Sequence, residues 1–154
     1  MSNQPDYPRD FQQRLQQNKA AVAGMREQIR ERRVTGESGI VCSQAYSDLL
    51  DNFLRRVWGG ATRDAQSELV DAFALLAVGG NARRRPAPWS DVDLLVIIDS
   101  RLFDDVSPLM AAAVRDCWDA TLQLGSSVRT RDDVIEFALK DVPFATSICE
   151  TRVL

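Results

Sequence analysis

Asp91 and Asp93 stand one valine apart at the entrance of an apolar run, "DVDLLVIID", and Gly79-Gly80 ends an earlier apolar run, "LLAVGG", ten residues upstream. On a strand, side chains at i and i+2 leave the same face, so the two carboxylates point together while Val92 and Leu94 point the other way. Carboxylates held side by side repel, and one tends to keep a proton unless a cation lies between them. A divalent metal resolves that conflict, and hard oxygen ligands favour magnesium or manganese. Gly79 and Gly80 remove side chains where the first run ends, so backbone N–H groups can approach an anion closely. Between glycines and acids come Arg83, Arg84 and Arg85, then Pro86 and Pro88, which limit any helix there to about one turn. Metal on one side and guanidinium on the other suit a triphosphate whose leaving pyrophosphate carries developing negative charge.

Composition narrows the chemistry further. The 154 residues include no histidine. That excludes a histidine-based catalytic triad, histidine-ligated zinc and phosphohydrolase sites of the His-Asp type. Cys42, Cys117 and Cys149 are odd in number and far apart, which indicates neither a disulfide framework nor a thiolate zinc site; idle thiols in a reducing cytoplasm are expected. A formal charge of -3 offers no bulk field for nucleic acid. The N-terminus lacks an apolar signal core, and no run approaches the roughly 20 apolar residues of a membrane helix, so a cytoplasmic protein without a membrane partner is expected.

The elements that must position the acids follow from periodicity. Phe11, Leu15, Val22, Met25 and Ile29 predict a one-faced helix from about Asp10 to Arg33. Tyr46, Leu49, Leu50, Phe53 and Val57 predict a second over Ser43–Trp58, stopped by Gly59-Gly60. "ATRDAQSELVDA" reads as a third, leading into a strand, "FALLAV". "VDLLVIID" reads as a central strand covered on both faces. Ser107-Pro108 reads as a helix start, "TLQLGSSVRT" as a strand, and Thr130 with Asp133 as a capping box. A last helix begins near Pro143, and the chain stops within its pattern. The expected architecture is α/β of the α+β kind, a small mixed sheet flanked by helices. Residues 1–38 form an N-terminal helix and linker, packed into one unit with a domain over 39–154.

The spacing of Gly-Gly and Asp-x-Asp resembles the signature of the DNA polymerase beta-like nucleotidyltransferase superfamily. More specifically, "AVGGNARRRPAPWSDVDLLV" is similar to the N-terminal catalytic domain of the PII-protein uridylyltransferases. The similarity continues through "WDATLQLGSSVRTRDDV" and "DVPFATSICETRVL" and covers Ser43 to the C-terminus. The resemblance implies transfer of UMP from UTP to a tyrosine hydroxyl of the signalling protein PII. It makes Asp91 and Asp93 ligands of Mg2+ or Mn2+, Gly79 and Gly80 the phosphate-facing turn, Arg83 a triphosphate contact and Ser90 a local hydrogen-bonding partner. Arg84 and Arg85 are assigned to a solvated loop. Of the tryptophans only Trp89 stands near this site, while Arg129 and Arg152 match family positions and equally suit structural ion pairs.

The departures matter. The family commonly reads Gly-Gly-Tyr-Gly-Arg-Gly where this chain has Asn81, Ala82 and Arg84. It tends to place an acid where Gln123 stands and a histidine where Ser126 stands. A lost third carboxylate would weaken metal affinity, leaving catalysis attenuated or dependent on Asp132 or Asp133. A fold that binds nucleotide or protein without catalysis is the alternative reading, and a different acceptor is a third. The family continues into a His-Asp phosphohydrolase domain and paired ACT domains; de-uridylylation and glutamine sensing are expected to be absent from this chain, an excised domain or a minimal relative.

Overall fold

The computed structural model describes residues 7–62 and 73–154. Helix α1 spans Tyr7–Val34 and α2 spans Gly39–Thr62. Among the described residues four strands form one sheet. β1 (Phe73–Ala77) and β2 (Val92–Ile98) form its antiparallel centre. β3 (Leu124–Thr130) adds in parallel to β2, and β4 (Arg152–Val153) adds antiparallel to β1. A single helical turn, α3 (Gly79–Ala82), follows β1. α4 (Phe103–Asp119) makes the crossover to β3 that a parallel pairing requires. α5 (Arg131–Lys140) and α6 (Val142–Cys149) follow β3. The mixed sheet flanked by helices is thus the expected α+β architecture, with "VDLLVIID" at its centre.

The core lies on one face of this sheet. Val92, Leu94, Val96 and Ile98 meet Val22, Met25 and Ile29 of α1, Leu50 and Leu54 of α2, and Met110, Ala113 and Cys117 of α4. Each fully buried Leu or Met there contributes about 1.5–3 kcal/mol relative to exposure. Burial, with help from Asp116, pushes the Cys117 thiol up to about 12, so it is inert; Cys42 is buried too, and Cys149 is an exposed free thiol.

Four boundaries differ from the sequence expectation. Phe11 lies outside the buried stripe of α1, whose docked part begins only near Asn18. α2 continues through Gly59-Gly60, because neither glycine takes the left-handed φ that ends a helix, and buried Trp58 and Thr62 hold the extra turn against the core. α4 begins before Ser107-Pro108: Asp99 caps a short 3-10 turn at Ser100–Leu102 that runs straight into Phe103, leaving Pro108 exposed inside the helix. The last helix ends at Cys149, and Arg152 and Val153 then pair with Ala77 and Leu76 as an edge strand. The helix expected over "ATRDAQSELVDA" falls on residues 63–72, outside the described residues, apart from Ala61 and Thr62, which close α2. Among the described residues no helix is long and apolar enough to cross a membrane.

Candidate functional site

Alternation along β2 puts Asp93 on the face opposite the core, where it is partly exposed, and Asp91 just ahead of the strand is exposed as well. The two are close enough to interact. Burial first, and the Asp91 carboxylate second, raise the Asp93 carboxyl from its ordinary value. The glycine corner meets Asp93 directly. Val78 N–H donates to the Asp93 carbonyl (3.0 Å), which extends the β1–β2 ladder by one bond. Gly79 then turns away with φ +59°, and a Cβ on it would lie 3.3 Å from Asp93 Oδ2. The first N–H groups of α3 have no acceptor within the turn.

A cavity of about 440 Å³ opens over this corner, lined by Val78 and Gly79 of the turn, by Asp93, Gly125, Ser126 and Ser127 of the sheet and by Phe144, Ser147 and Ile148 of α6. A larger hollow of about 570 Å³ between α1, α2 and α4 shares no residue with it. Arg129, further along β3, lays its guanidinium 3.9 Å from the Phe137 ring and 5.3 Å from that of Phe144. Stacking of this kind ties α5 and the cavity wall to the sheet.

The remaining predicted residues are placed differently from the acids. Gly80 sits in the corner behind Gly79, and its Cβ position faces the Arg85 carbonyl at 3.5 Å. Arg83 pairs with Glu150, beyond α6, and Arg84 pairs with Asp48 of α2; both pairs are exposed and neither arginine lines the cavity. Arg84 also carries φ +57° in the left-handed residue that ends α3, with Arg85 N–H donating to Gly80 O and Arg84 N–H to Asn81 O. That is the geometry a glycine serves most cheaply. Ser90 uses its hydroxyl to close its own turn, donating to Ala87 O at 2.9 Å. Trp89 faces Arg26 and a separate apolar hollow beside Ile29, Cys42 and Pro86.

Gln123 stands beside Asp91. Its carbonyl accepts from Val92 N–H (2.9 Å), and Gln123 precedes Leu124 as Asp91 precedes Val92, the pair that opens the parallel register. Asp133 cannot stand in for a carboxylate there. Asp133 locks the capping box with Thr130, which is paired with Ile98, about 17 Å from Asp93 at the usual strand rise. Among the described residues no cluster of three or more histidine, cysteine or acidic side chains forms. Two carboxylates still fit Mg2+, which commonly takes one or two carboxylates and completes its shell with water and substrate phosphate.

Several positioning residues escaped sequence reasoning because their partners lie far along the chain. The Pro86–Trp89 loop is fastened by Ser43 Oγ donating to Pro86 O (2.8 Å) and by Arg26 Nε and Tyr46 Oη donating to Pro88 O (2.9 and 3.2 Å). Arg152 makes a two-pronged pair with buried Asp51, at 2.6 and 3.0 Å, and donates to the Asn81 carbonyl at 3.0 Å. Edge strand, α2 and glycine turn are thereby joined in one network. The only forward signal was the match of Arg152 to a family position.

No protein-family model matches the chain. Curated relatives do. The bifunctional uridylyltransferase/uridylyl-removing enzyme of Burkholderia orbicola (strain AU 1054) is 39% identical over 108 residues, 70% of this chain. Its counterpart from Ralstonia nicotianae is 42% identical over 86 residues, 56% of the chain, and that from Burkholderia lata 37% identical over 134 residues, 87% of the chain. The chain spans 12%, 10% and 14% of the lengths of these three relatives. By sequence the chain is similar to one segment of the bifunctional uridylyltransferase/uridylyl-removing enzymes, and its α+β fold brings Asp93 and the Gly79 corner together.

Proposed function

We propose that this chain is a nucleotidyltransferase unit that takes a nucleoside triphosphate, UTP, with Mg2+ or Mn2+ at Asp91 and Asp93, and passes UMP to a tyrosine hydroxyl of a PII-type protein. One observation carries the reading: the Asp93 carboxylate lies against the bare Gly79 corner, beneath a cavity open to solvent. Asp91 and Asp93 supply the two carboxylates. When bound, the divalent ion neutralises phosphate charge and polarises the α-phosphate. The N–H groups at Gly79 and Gly80 face the remaining phosphate oxygens. Arg83 reaches the triphosphate by exchanging its exposed partner Glu150 for phosphate, an inexpensive exchange because exposed ion pairs are worth about 1 kcal/mol or less. Phe144 and Ile148 offer an apolar wall to the nucleoside, and the serine hydroxyls offer hydrogen bonds to it. A proton leaving the acceptor hydroxyl, with an unperturbed pKa of about 10 for tyrosine, has the Asp91 and Asp93 carboxylates to meet at this corner.

Gln123 beside Asp91 favours a second reading, in which the unit binds nucleotide without turning it over. Titrating the protein with Mg2+ and each ribonucleoside triphosphate, and following both binding and pyrophosphate release with and without PII, separates the two. Release that requires UTP and PII supports transfer. Binding without release supports the second reading, and absence of nucleotide binding removes both.

A further inference from the structure

Gly125 has no local reason to be glycine. The left-handed φ values among the glycines belong to Gly36 and Gly79, so the backbone at 125 accepts any L-residue. A glycine inside a strand weakens it and gives neighbours nothing to pack against. The reason lies across the strand pair. Parallel register aligns Gly125 with Asp93, and a Cβ at 125 would stand 2.7 Å from Asp93 Oδ1 and 3.8 Å from its Cγ. On the other flank, a Cβ at Gly79 would stand 3.3 Å from Oδ2. The carboxylate therefore occupies a slot between two bare α-carbons contributed by different elements, the turn after β1 and the strand β3.

We propose that Gly125 is a positioning residue for Asp93: the missing side chain lets the carboxylate lie across β3 with Oδ2 towards the Gly79 corner. The consequence for ligand binding rests on the reading of Asp93 as a metal and nucleotide ligand; the positioning itself does not. An alanine at 125 meets the tip of a side chain rather than backbone, so the strand survives and Asp93 rotates out of the slot. The effect falls on the site, not on the fold.

The test compares wild type, Gly125→Ala and Gly24→Ala, the last chosen because nothing lies within 4 Å of the Cβ it would add. Three quantities are read: the melting temperature, the 13C resonance of the Asp93 carboxyl carbon at fixed pH, and Mn2+ affinity by electron paramagnetic resonance. Gly125→Ala should move the Asp93 resonance and weaken Mn2+ binding about 10-fold or more, in the range that groups orienting metal ligands control. Gly24→Ala should change neither. Any loss of melting temperature in Gly125→Ala should vanish in an Asp93→Ala background, because the clash is with that side chain. An unmoved Asp93 resonance, or a destabilisation that persists without the Asp93 carboxylate, overturns the proposal. A moved resonance in a protein whose wild type binds no Mn2+ supports the positioning role and removes the metal reading instead.

Discussion

Alternate residues of β2 meet two different surroundings. Val92, Leu94, Val96 and Ile98 are no more than 3% exposed beneath α1, α2 and α4, whereas on the other face Asp93 is exposed, Leu95 is buried at 2% and Ile97 is half-buried, under two helices that contain no buried residue. The packed face fixes the strand's backbone. The open face can then hold a carboxylate partly in water, raise its proton affinity and leave a cavity over it, because stability is supplied from behind. A bare glycine corner and a glycine in β3 fit the same division, since the open face gives up packing where a ligand or a carboxylate needs the room.

The contrast can be broken at the ion pair of Arg152 with buried Asp51. Asp51→Asn leaves Arg152 without its carboxylate next to the glycine turn, and removing one partner of a buried pair costs about 3–5 kcal/mol; denaturant unfolding should show a loss of that size. Met110→Ala, at 0% exposure on the packed side, should cost about 2–5 kcal/mol, whereas Leu139→Ala on α5, at 84% exposure, should stay within about 0.5 kcal/mol. Equal costs would erase the distinction between the faces. Gln123→Glu returns a carboxylate beside Asp91 and should tighten Mn2+ binding about tenfold, or about 1.4 kcal/mol, with little change in melting. Thr130→Ala removes the capping box that starts α5 and should cost about 1 kcal/mol while leaving nucleotide binding untouched.

The packed face was legible in the sequence because it is periodic. Val22, Met25 and Ile29 on one helix, Tyr46, Leu50, Phe53 and Val57 on the next, and the apolar run of β2 announce the core and the sheet's centre. The acids and glycines were legible because i, i+2 alternation and a strand-ending Gly-Gly are local patterns. What stayed hidden depends on contacts between distant segments. Arg152 reads as the end of a helix until its pairing with Asp51 is seen, and Arg83 reads as a free cation until Glu150 is seen beside it. Gly59-Gly60 and Ser107-Pro108 misled for the same physical reason: burial of Trp58 and Thr62, and of Val106, outweighs a local helix breaker. Asp133 looked available as a carboxylate, and the distance from Thr130 to the acid pair along the sheet rules it out.

The central claim is that Asp93 and its neighbour hold a divalent ion together with a nucleotide's phosphates. Titrating UTP into wild type and Asp93→Asn, each with and without Mn2+, tests it most directly. Saturable binding that needs the metal in wild type and weakens at least about 100-fold in Asp93→Asn, at an unchanged melting temperature, is the expected result. Equal affinity in both proteins, or binding indifferent to Mn2+, would contradict it.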